Sequence, residues 1–318
     1  MEYRLLGPTG LRVSEICLGT MQFKWTTTEA ESYRVLDAFM DAGGNLVDTA
    51  DIYTGWVKEC KAGTAETIIG KWMKRKGNRR RVVLATKCMI GMWKGATGGG
   101  LNRSHIVKAI EDSLKRLRTD HVDLLQSHWP DWSVGNEETL RAYRDLIAAG
   151  KVRFVGCSNY SPGLMAEALV LAERGGLPRY VSAQPKYNLL VRDFEEDHVW
   201  LVKKYNVGVI PYSPLQAGLL SGKYRRGRPL PNRARGDGLK HMLNDRTWNV
   251  IDALDRLGRA RGKTVAQMAL GWLLSHEWMT SPIVGPNTVA QLNESLGAAG
   301  LKLSEAEMKE LDEVSKQS

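Results

Sequence analysis

The stretch NLVDTADIY, residues 45–53, decides the fold that we expect for this chain. It opens on an apolar run directly after Gly43-Gly44, a pair that ends a helix, and such a run is typical of a buried parallel strand. Asp48 stands where this strand would end, and Tyr53 follows in the loop that leaves it. A single carboxylate at a strand end indicates little, but several polar residues at the same end of one sheet indicate an active site.

Two further runs supply such residues. Lys87 ends VVLATK and His128 ends VDLLQSH, and both runs are typical of strands. In a closed parallel barrel the chemistry lies at the carboxyl ends of the strands and on the following loops. We therefore expect Asp48, Tyr53, Lys87 and His128 to form one catalytic group. Each residue also has a purely structural explanation: Asp48 as a helix cap, Lys87 as a solvated rim lysine, His128 as a polar core group and Tyr53 as a packing ring. Their clustering favours function, because burying an Asp, a Lys and a Tyr together is costly unless each group is paired.

The rest of the chain alternates strands and helices. Turn residues at 7–10 predict an N-terminal β-hairpin over residues 3–16. Apolar runs predict strands before Asp48 and at 16–18, 82–87, 122–127, 153–158, 180–185, 207–212 and 281–284. Helical spacing and caps predict helices after Thr28, Ser104 and Ser161, and at 64–76, 137–149, 194–204, 246–261, 264–275, 289–296 and 305–315. Thr28 with Glu31 and Thr264 with Gln267 have the spacing of capping boxes.

Eight strands, each followed by at least one helix, predict an α/β fold with a parallel sheet. We expect residues 1–318 to form a single (β/α)8 TIM barrel domain, with the N-terminal β-hairpin and two additional helices. An open doubly wound sheet is the alternative. It is disfavoured because no G-x-G-x-x-G follows any of the predicted strands.

Composition excludes several classes of protein. The net charge of +10 comes with basic clusters at 74–76, 79–81 and 225–228, but no nucleic-acid motif accompanies them, so we expect a solvated rim that also attracts anions. The four cysteines form no CxxC pair and the six histidines lack metal-ligand spacing, which predicts reduced thiols and no metal. With no signal-peptide pattern and no apolar run near the ~20 residues that span a bilayer, we expect a cytoplasmic protein.

The predicted group suits proton transfer to a carbonyl oxygen. A phenol with a pKa of roughly 10 is a weak acid at neutral pH. An adjacent ammonium on Lys87 should lower the pKa of Tyr53, Asp48 should orient that ammonium, and His128 should hydrogen-bond the substrate oxygen. None of the four residues supplies electrons, so a cofactor is required.

Longer motifs give the chain a family resemblance. They are GTM at 19–21, NLVDTADIY, ATK at 85–87, GCSNY at 156–160, QPKYN at 184–188 and PYSPLQAGLLSGKY at 211–224. Together they resemble the aldo-keto reductases over nearly the whole chain, most closely the bacterial branch related to the potassium-channel β subunits. The resemblance implies that Asp48, Tyr53, Lys87 and His128 form the catalytic tetrad and that hydride passes between NADP(H) and an aldehyde or ketone.

The resemblance also implies a set of cofactor contacts. Ser158, Asn159 and Gln184 would hold the nicotinamide carboxamide, and Tyr212 would stack on its ring. The remaining cofactor contacts would be Gly19, Thr20, Met21, Asp48, Ser213, Pro214, Leu215, Gly218, Leu220, Lys223, Gly285, Asn287, Gln291 and Glu294.

The adenosine end departs from the family pattern. NADP-selective members carry Lys or Arg near the turn at 285–288, where this chain has Asn287 and Gln291, and Ser295 replaces a common asparagine. A basic loop with Arg225, Arg226, Arg233 or Arg235 is the expected substitute, since a guanidinium binds phosphate in a bidentate manner. NADP(H) is favoured and NAD(H) stays open.

The substrate is predicted only as a small-molecule carbonyl compound or alcohol. Trp25, Trp56 and Trp129 adjoin catalytic positions and are candidate walls of an apolar pocket, formed with the loops 23–27, 89–103 and 225–237. Their alternative is simple packing on the barrel rim. Two other functions stay open, a cofactor-sensing partner of a membrane channel and an aldolase with a Schiff base on Lys87. The oligomeric state is not predicted.

Overall fold

Eight parallel strands curl around a common axis in the computed structural model, which describes residues 1–95, 97–229 and 239–316. The sheet order follows the chain from β3 to β9, and β10 pairs with β3. Backbone bonds from Thr280 N to Val209 O (2.9 Å) and from Ile283 N to Pro211 O (2.9 Å) connect the last two strands. The eight strands are β3 (Cys17–Gly19), β4 (Leu46–Asp48), β5 (Val83–Cys88), β6 (Val122–Ser127), β7 (Val152–Ser158), β8 (Tyr180–Gln184), β9 (Gly208–Val209) and β10 (Ile283–Val284).

Helices follow each of these strands, as predicted for a (β/α)8 barrel. Within the described ranges there are ten, of which α7 and α10 are the two additional ones. The helices are α1 (Glu29–Asp41), α2 (Thr64–Lys76), α3 (Arg103–Leu117), α4 (Asn136–Ala148), α5 (Pro162–Gly175), α6 (Phe194–Tyr205), α7 (Asp245–Arg261), α8 (Val265–Ser275), α9 (Val289–Leu296) and α10 (Glu305–Ser315). None of them has both the length and the apolar character that a membrane crossing requires.

The N-terminal hairpin closes one end of the barrel. Its strands, β1 (Tyr3–Leu5) and β2 (Arg12–Ser14), pair antiparallel, which confirms the predicted hairpin. Leu6 and Val13 are fully buried and pack with barrel residues from several strands, while Arg4 donates to Met279 O at 2.6 Å. The hairpin thus occupies the amino end of the strands and leaves the carboxyl end for a site.

One capping prediction was wrong in part and another was wrong. Thr28 accepts from Glu31 N, but the Glu31 carboxylate accepts from Val289 N of α9, so only half of the capping box forms. Helix α3 is capped by Asn102 instead of Ser104, because the Asn102 side chain accepts from the backbone N–H of the third helical residue. The Thr264 and Gln267 box is confirmed.

The last two strands are shorter than predicted. Residues 207–212 and 281–284 were expected to be extended throughout, and each strand contains two residues. Pro211 and Pro282 lie in these segments, and a proline has no N–H to donate to the sheet.

Candidate active site

Four polar side chains meet at the carboxyl ends of β4, β5 and β6, as the sequence predicts. The Lys87 ammonium lies 2.6 Å from Asp48 Oδ2, 2.8 Å from the Thr49 carbonyl oxygen and 3.0 Å from the Tyr53 hydroxyl. Lys87 and Asp48 are almost fully buried, at 1% and 2% exposure. The rings of Tyr53 and His128 stand edge to face with centroids 5.9 Å apart. An ammonium has three N–H donors, and all three of Lys87 are used.

The loop that carries Tyr53 is held at both ends. Asp51 N donates to the Lys87 carbonyl oxygen at 3.1 Å, and Gly63 N donates to the Tyr53 carbonyl oxygen at 3.2 Å. Thr54 adopts a left-handed conformation with φ of 75°, and its hydroxyl donates to Phe23 O at 3.0 Å. A β-branched residue at positive φ is strained, so the surrounding bonds fix this turn and with it the phenol.

Burial decides the protonation of the phenol. We expected Lys87 to lower the pKa of Tyr53, but burial raises that pKa more than the ammonium of Lys87 lowers it, and the Asp48 carboxylate raises it further. The effect of Lys87 on the pKa therefore has the predicted direction, but the net shift is upward, because the expectation did not include burial. For Lys87, burial alone would lower the pKa, but the Asp48 carboxylate and the Tyr53 hydroxyl outweigh it and raise the pKa of the ammonium. At neutral pH the pair is a charged lysine beside a neutral phenol.

The imidazole of His128 is neutral. Burial, with a smaller effect from the charge on Lys87, lowers its pKa to about 3. Its Nδ1 is a buried nitrogen without a hydrogen-bond partner among the described residues. A neutral imidazole can position a carbonyl oxygen without competing with Tyr53 as a proton donor.

The predicted carboxamide group adjoins these four residues. Tyr212 donates from its hydroxyl to Asn159 Oδ1 at 2.9 Å, and Asn159 Nδ2 donates to His128 O and to Ser158 Oγ, both at 3.0 Å. Ser158 Oγ donates to Gln184 O at 2.8 Å, and Gln184 Nε2 donates to Asp48 Oδ1 at 2.9 Å. Asn159 has a φ of 59°, a conformation that asparagine tolerates better than most residues. One hydrogen-bonded network therefore includes both predicted groups.

The GTM turn supports the same network from β3. Thr20 donates from its backbone N–H (3.1 Å) and its hydroxyl (2.9 Å) to the Asp48 carbonyl oxygen. A Cβ at position 19 would lie 2.7 Å from the Ile283 side chain, so glycine at this position allows β3 and β10 to pack closely. Met21 follows at the rim and is half-buried.

The loop after β9 has the backbone of an anion-binding segment. Ser213, Gln216, Ala217 and Gly218 all have positive φ, between 46° and 92°. A Cβ on Gly218 would lie 2.8 Å from the Lys223 ammonium, so glycine allows this cation to approach the main chain. Successive left-handed residues and a nearby cation form a concave donor set that fits phosphate oxygens. Pro214 is buried, Leu215 is half-buried and the Leu220 side chain is fully buried, so Leu220 offers a ligand only its backbone.

The predicted adenosine end is arranged around the turn before α9. Asn287 Oδ1 accepts from the hydroxyls of Thr26 (2.6 Å) and Thr27 (3.2 Å), and Asn287 N donates to Gln291 Oε1 at 2.8 Å. Gly285 is exposed, whereas Glu294 is half-buried and its backbone oxygen accepts from Gln267 of α8. Both polar side chains of the turn are thus engaged with the protein.

The basic loop is only partly described. Arg225 pairs with Asp255 at 2.9 Å and Arg226 with Asp245 at 2.9 Å, so both guanidiniums contact carboxylates of α7. Arg225 retains one buried nitrogen, Nη1, without a hydrogen-bond partner within the described ranges. Arg233 and Arg235 lie outside the described residues.

The three predicted tryptophans all lie at the surface. Trp25 and Trp56 stand edge to face with centroids 5.6 Å apart, and Trp56 is 6.2 Å from the Tyr53 ring. Trp129 directly follows His128 and is 47% exposed. Trp25, Trp56 and Tyr53 therefore form a continuous aromatic wall, and Trp129 is as exposed as Trp56.

Sequence reasoning missed two buried glutamines. Gln126 donates from Nε2 to Asp48 Oδ1 at 3.1 Å and is fully buried. Gln22 donates from Nε2 to Gly19 O and to Pro286 O, both at 2.9 Å, and joins the turns after β3 and β10. The two-residue period of a strand was a usable signal for Gln126, because it places residues 126 and 128 on one face. For Gln22 the sequence carries no such signal.

Comparisons with known proteins identify the family of this chain. The model of the aldo/keto reductase family matches residues 15–316. An uncharacterized oxidoreductase, YrpG, of Bacillus subtilis (strain 168) is 37% identical over 99% of this chain and 96% of its own length. L-glyceraldehyde 3-phosphate reductase of Escherichia coli O157:H7 is 32% identical, over 98% of this chain and 92% of its own. A putative voltage-gated potassium channel subunit beta of Schizosaccharomyces pombe is 33% identical, over 99% and 93%. The predicted resemblance is confirmed.

Proposed function

The chain belongs to the aldo/keto reductase family of oxidoreductases, and we propose that it transfers hydride between a nicotinamide cofactor and an aldehyde or ketone, with Tyr53 as the proton donor. The observation that carries this proposal is the contact of 3.0 Å between the Tyr53 hydroxyl and the Lys87 ammonium, which Asp48 holds in place. A neutral phenol next to a fixed cation suits donation of a proton to an oxygen that is gaining negative charge.

Each residue of the group has a separate part in this reaction. The carbonyl oxygen of the substrate would lie between the Tyr53 hydroxyl and the neutral His128 ring. When bound, the nicotinamide supplies or accepts the hydride. Tyr53 donates its proton to the developing alkoxide, and the charge of Lys87 stabilises the phenolate that remains. In the reverse direction the Tyr53 phenolate takes the hydroxyl proton of an alcohol.

The cofactor is proposed to be NADP(H), with NAD(H) as the alternative. Ser158, Asn159, Gln184 and Tyr212 would hold the nicotinamide, and the loop from Ser213 to Lys223 would hold the pyrophosphate. The unpaired Nη1 of Arg225 and the ammonium of Lys223 supply positive charge on the same loop. The pyrophosphate is common to both cofactors, so the choice of NADP(H) rests on the Arg225 guanidinium, which would meet the additional phosphate in place of a cation at the Asn287 turn.

The proposed substrate is a carbonyl compound with an apolar or aromatic part. The wall of Trp25, Trp56 and Tyr53 supports this choice, because aromatic rings bury planar or apolar groups well. A relative named norsolorinic acid reductase B, from Dothistroma septosporum, is by its name also a reductase.

Replacing Tyr53 by phenylalanine tests the proposal. The variant loses the only proton donor that the proposal assigns, so kcat for reduction of an aromatic aldehyde should fall by at least about 100-fold. The Kd for NADPH, measured by quenching of tryptophan fluorescence, should change little. Tyr33→Phe is the matched control, because it removes the hydroxyl of a remote tyrosine that bonds Glu29, and its kcat should stay unchanged. Normal turnover in Tyr53→Phe would show that another group is the acid.

A Schiff-base aldolase is the weaker candidate. Its lysine must lose a proton to become a nucleophile, but the Asp48 carboxylate and the Tyr53 hydroxyl raise the pKa of Lys87 above its ordinary value despite burial. All three N–H groups are also committed to Asp48, Thr49 and Tyr53. Failure of borohydride to trap a carbonyl compound on Lys87 is the expected result.

The likeness to a channel β subunit keeps a second candidate open. A protein of that kind could bind the cofactor and report its redox state to a membrane partner. Stoichiometric oxidation of bound NADPH by aldehyde, without further turnover in excess cofactor, would favour this role over that of a reductase. Multiple turnovers would favour the reductase.

A further inference from the structure

Gln126 joins the ion pair to the predicted carboxamide subsite. It lies on β6, fully buried, and β6 ends one residue before His128. Its Nε2 donates to Asp48 Oδ1 at 3.1 Å, and its Oε1 accepts from Gln184 Nε2 at 3.1 Å. Gln184 Nε2 also donates to Asp48 Oδ1, at 2.9 Å. The two amides and the carboxylate therefore form a closed triangle.

This triangle fixes which way each amide faces. An ionised carboxylate only accepts hydrogen bonds, so both glutamines must turn a nitrogen toward Asp48. The Gln184 nitrogen has two hydrogens, and it gives one to Asp48 and the other to Gln126. No donor remains on Gln184, and its carbonyl oxygen is the polar atom that the side chain can still offer.

The Asn159 side chain, like that of Gln184, has no N–H left to donate and can only accept. Its nitrogen gives both hydrogens to protein acceptors, His128 O and Ser158 Oγ, and its oxygen accepts one bond from Tyr212. An amide oxygen has two lone pairs, so Asn159 can still accept one further bond. Both amides at the predicted subsite are therefore acceptors. The NH2 of a nicotinamide carboxamide is a donor that fits them.

We propose that Gln126 is a positioning residue which holds Gln184 as a pure acceptor, so that the subsite recognises the NH2 of the nicotinamide carboxamide. The inference rests on the proposed nicotinamide cofactor. Without Gln126, one N–H of Gln184 loses its partner and the side chain can rotate. The released N–H can then donate to a carbonyl oxygen, and the subsite no longer requires a donor from the cofactor.

The test compares two cofactors that differ at this group alone. NADPH carries the carboxamide, and reduced 3-acetylpyridine adenine dinucleotide phosphate carries an acetyl group, which has a carbonyl oxygen but no N–H. Their Kd values are measured by quenching of tryptophan fluorescence in the wild-type protein and in Gln126→Leu. We expect the wild-type protein to bind NADPH at least about tenfold more tightly, because the acetyl group leaves buried acceptors unpaired. In Gln126→Leu the ratio of the two Kd values should fall below about threefold.

A purely structural role for Gln126 predicts a different result. Damage to packing would weaken both cofactors by the same factor and leave the ratio unchanged, which would overturn the inference. Equal binding of both cofactors by the wild-type protein would overturn it as well. Gln126→Met keeps the length of the side chain without the amide and repeats the measurement if the leucine variant does not fold. Absence of binding of either cofactor by the wild-type protein would instead contradict the proposed function.

Discussion

Replacing Lys87 by methionine should destabilise the fold more than most single substitutions. The change removes the ammonium but keeps an unbranched side chain, so packing in the barrel is largely preserved. Asp48, which is 2% exposed, then loses its partner at 2.6 Å and becomes an unpaired buried carboxylate. Breaking one side of a buried ion pair costs about 3–5 kcal/mol.

The magnitude can be divided between charge and hydrogen bonds. Lys87 also donates to Thr49 O and to the Tyr53 hydroxyl, and each ordinary bond contributes about 1 kcal/mol. The two amide bonds that Asp48 Oδ1 receives remain in the variant. The bonds that Lys87 loses are part of the cost of about 3–5 kcal/mol for removing one partner of the pair. We therefore expect a loss of about 4 kcal/mol, which corresponds to roughly a thousandfold change in the unfolding equilibrium constant.

A second variant separates the charge from the packing. In Asp48→Asn the new amide oxygen can still accept hydrogen bonds from Gln126 and Gln184, but the side chain carries no charge. The double variant Asp48→Asn with Lys87→Met should recover all but about 1–2 kcal/mol, because a matched pair of neutral groups avoids the desolvation penalty. Free energies of unfolding come from urea titrations at pH 7, followed by tryptophan fluorescence with comparison of m-values. A loss below about 1 kcal/mol in Lys87→Met would show that the pair is not desolvated, and the reasoning would fail.

Two further predictions concern pH and cofactor choice. Burial lowers the pKa of His128 to about 3 and of His276 to about 4, so the unfolded chain binds more protons below about pH 6.5 and stability falls as pH decreases from there. For the two histidines together, the free energy of unfolding should fall by roughly 2.7 kcal/mol per pH unit near pH 5. Urea midpoints between pH 7.5 and 5 measure this dependence. An equal dependence on pH in His276→Asn would contradict the assignment to His276. Asn287→Arg should shift the ratio of the Kd values for NADH and NADPH at least about tenfold toward NADPH, since a guanidinium binds the additional phosphate. Asn287→Leu loses the same bonds to Thr26 and Thr27 without adding charge, and an equal shift in that control would show that the guanidinium has no part.

Local patterns predicted the architecture well. The order of strands and helices and the bounds of α2, α9 and α10 follow from apolar spacing and caps that lie within a few residues of each other. The four polar residues were found for a similar reason, since a parallel barrel places every strand end at one rim. Their contact was thus a consequence of topology alone.

The missed features depend on partners that are distant in sequence. Gln126 meets Asp48 across a separation of 78 residues, and Glu31 accepts from Val289 across 258. Such contacts follow from the packing of strands and helices around the barrel, which a single sequence does not reveal. The half-formed capping box shows the effect directly, because Glu31 bonds a distant helix in place of its local partner.

The protonation of Tyr53 depends both on a neighbour that the sequence predicts and on burial that only the fold shows. The sequence supplied the neighbouring cation but not the depth of the phenol, and depth decides the direction of the pKa shift. In the proposed reaction a neutral phenol holds the proton that the substrate oxygen would receive, and burial keeps Tyr53 in this form. In the same proposal Lys87 would stabilise the phenolate that remains after the transfer. Its ammonium is fixed by Asp48 and Thr49 and lies 3.0 Å from the Tyr53 hydroxyl. The proposed proton donor needs both features. Burial opposes a negative charge on the Tyr53 oxygen before the proton is transferred, and the fixed ammonium of Lys87 stabilises that charge afterwards.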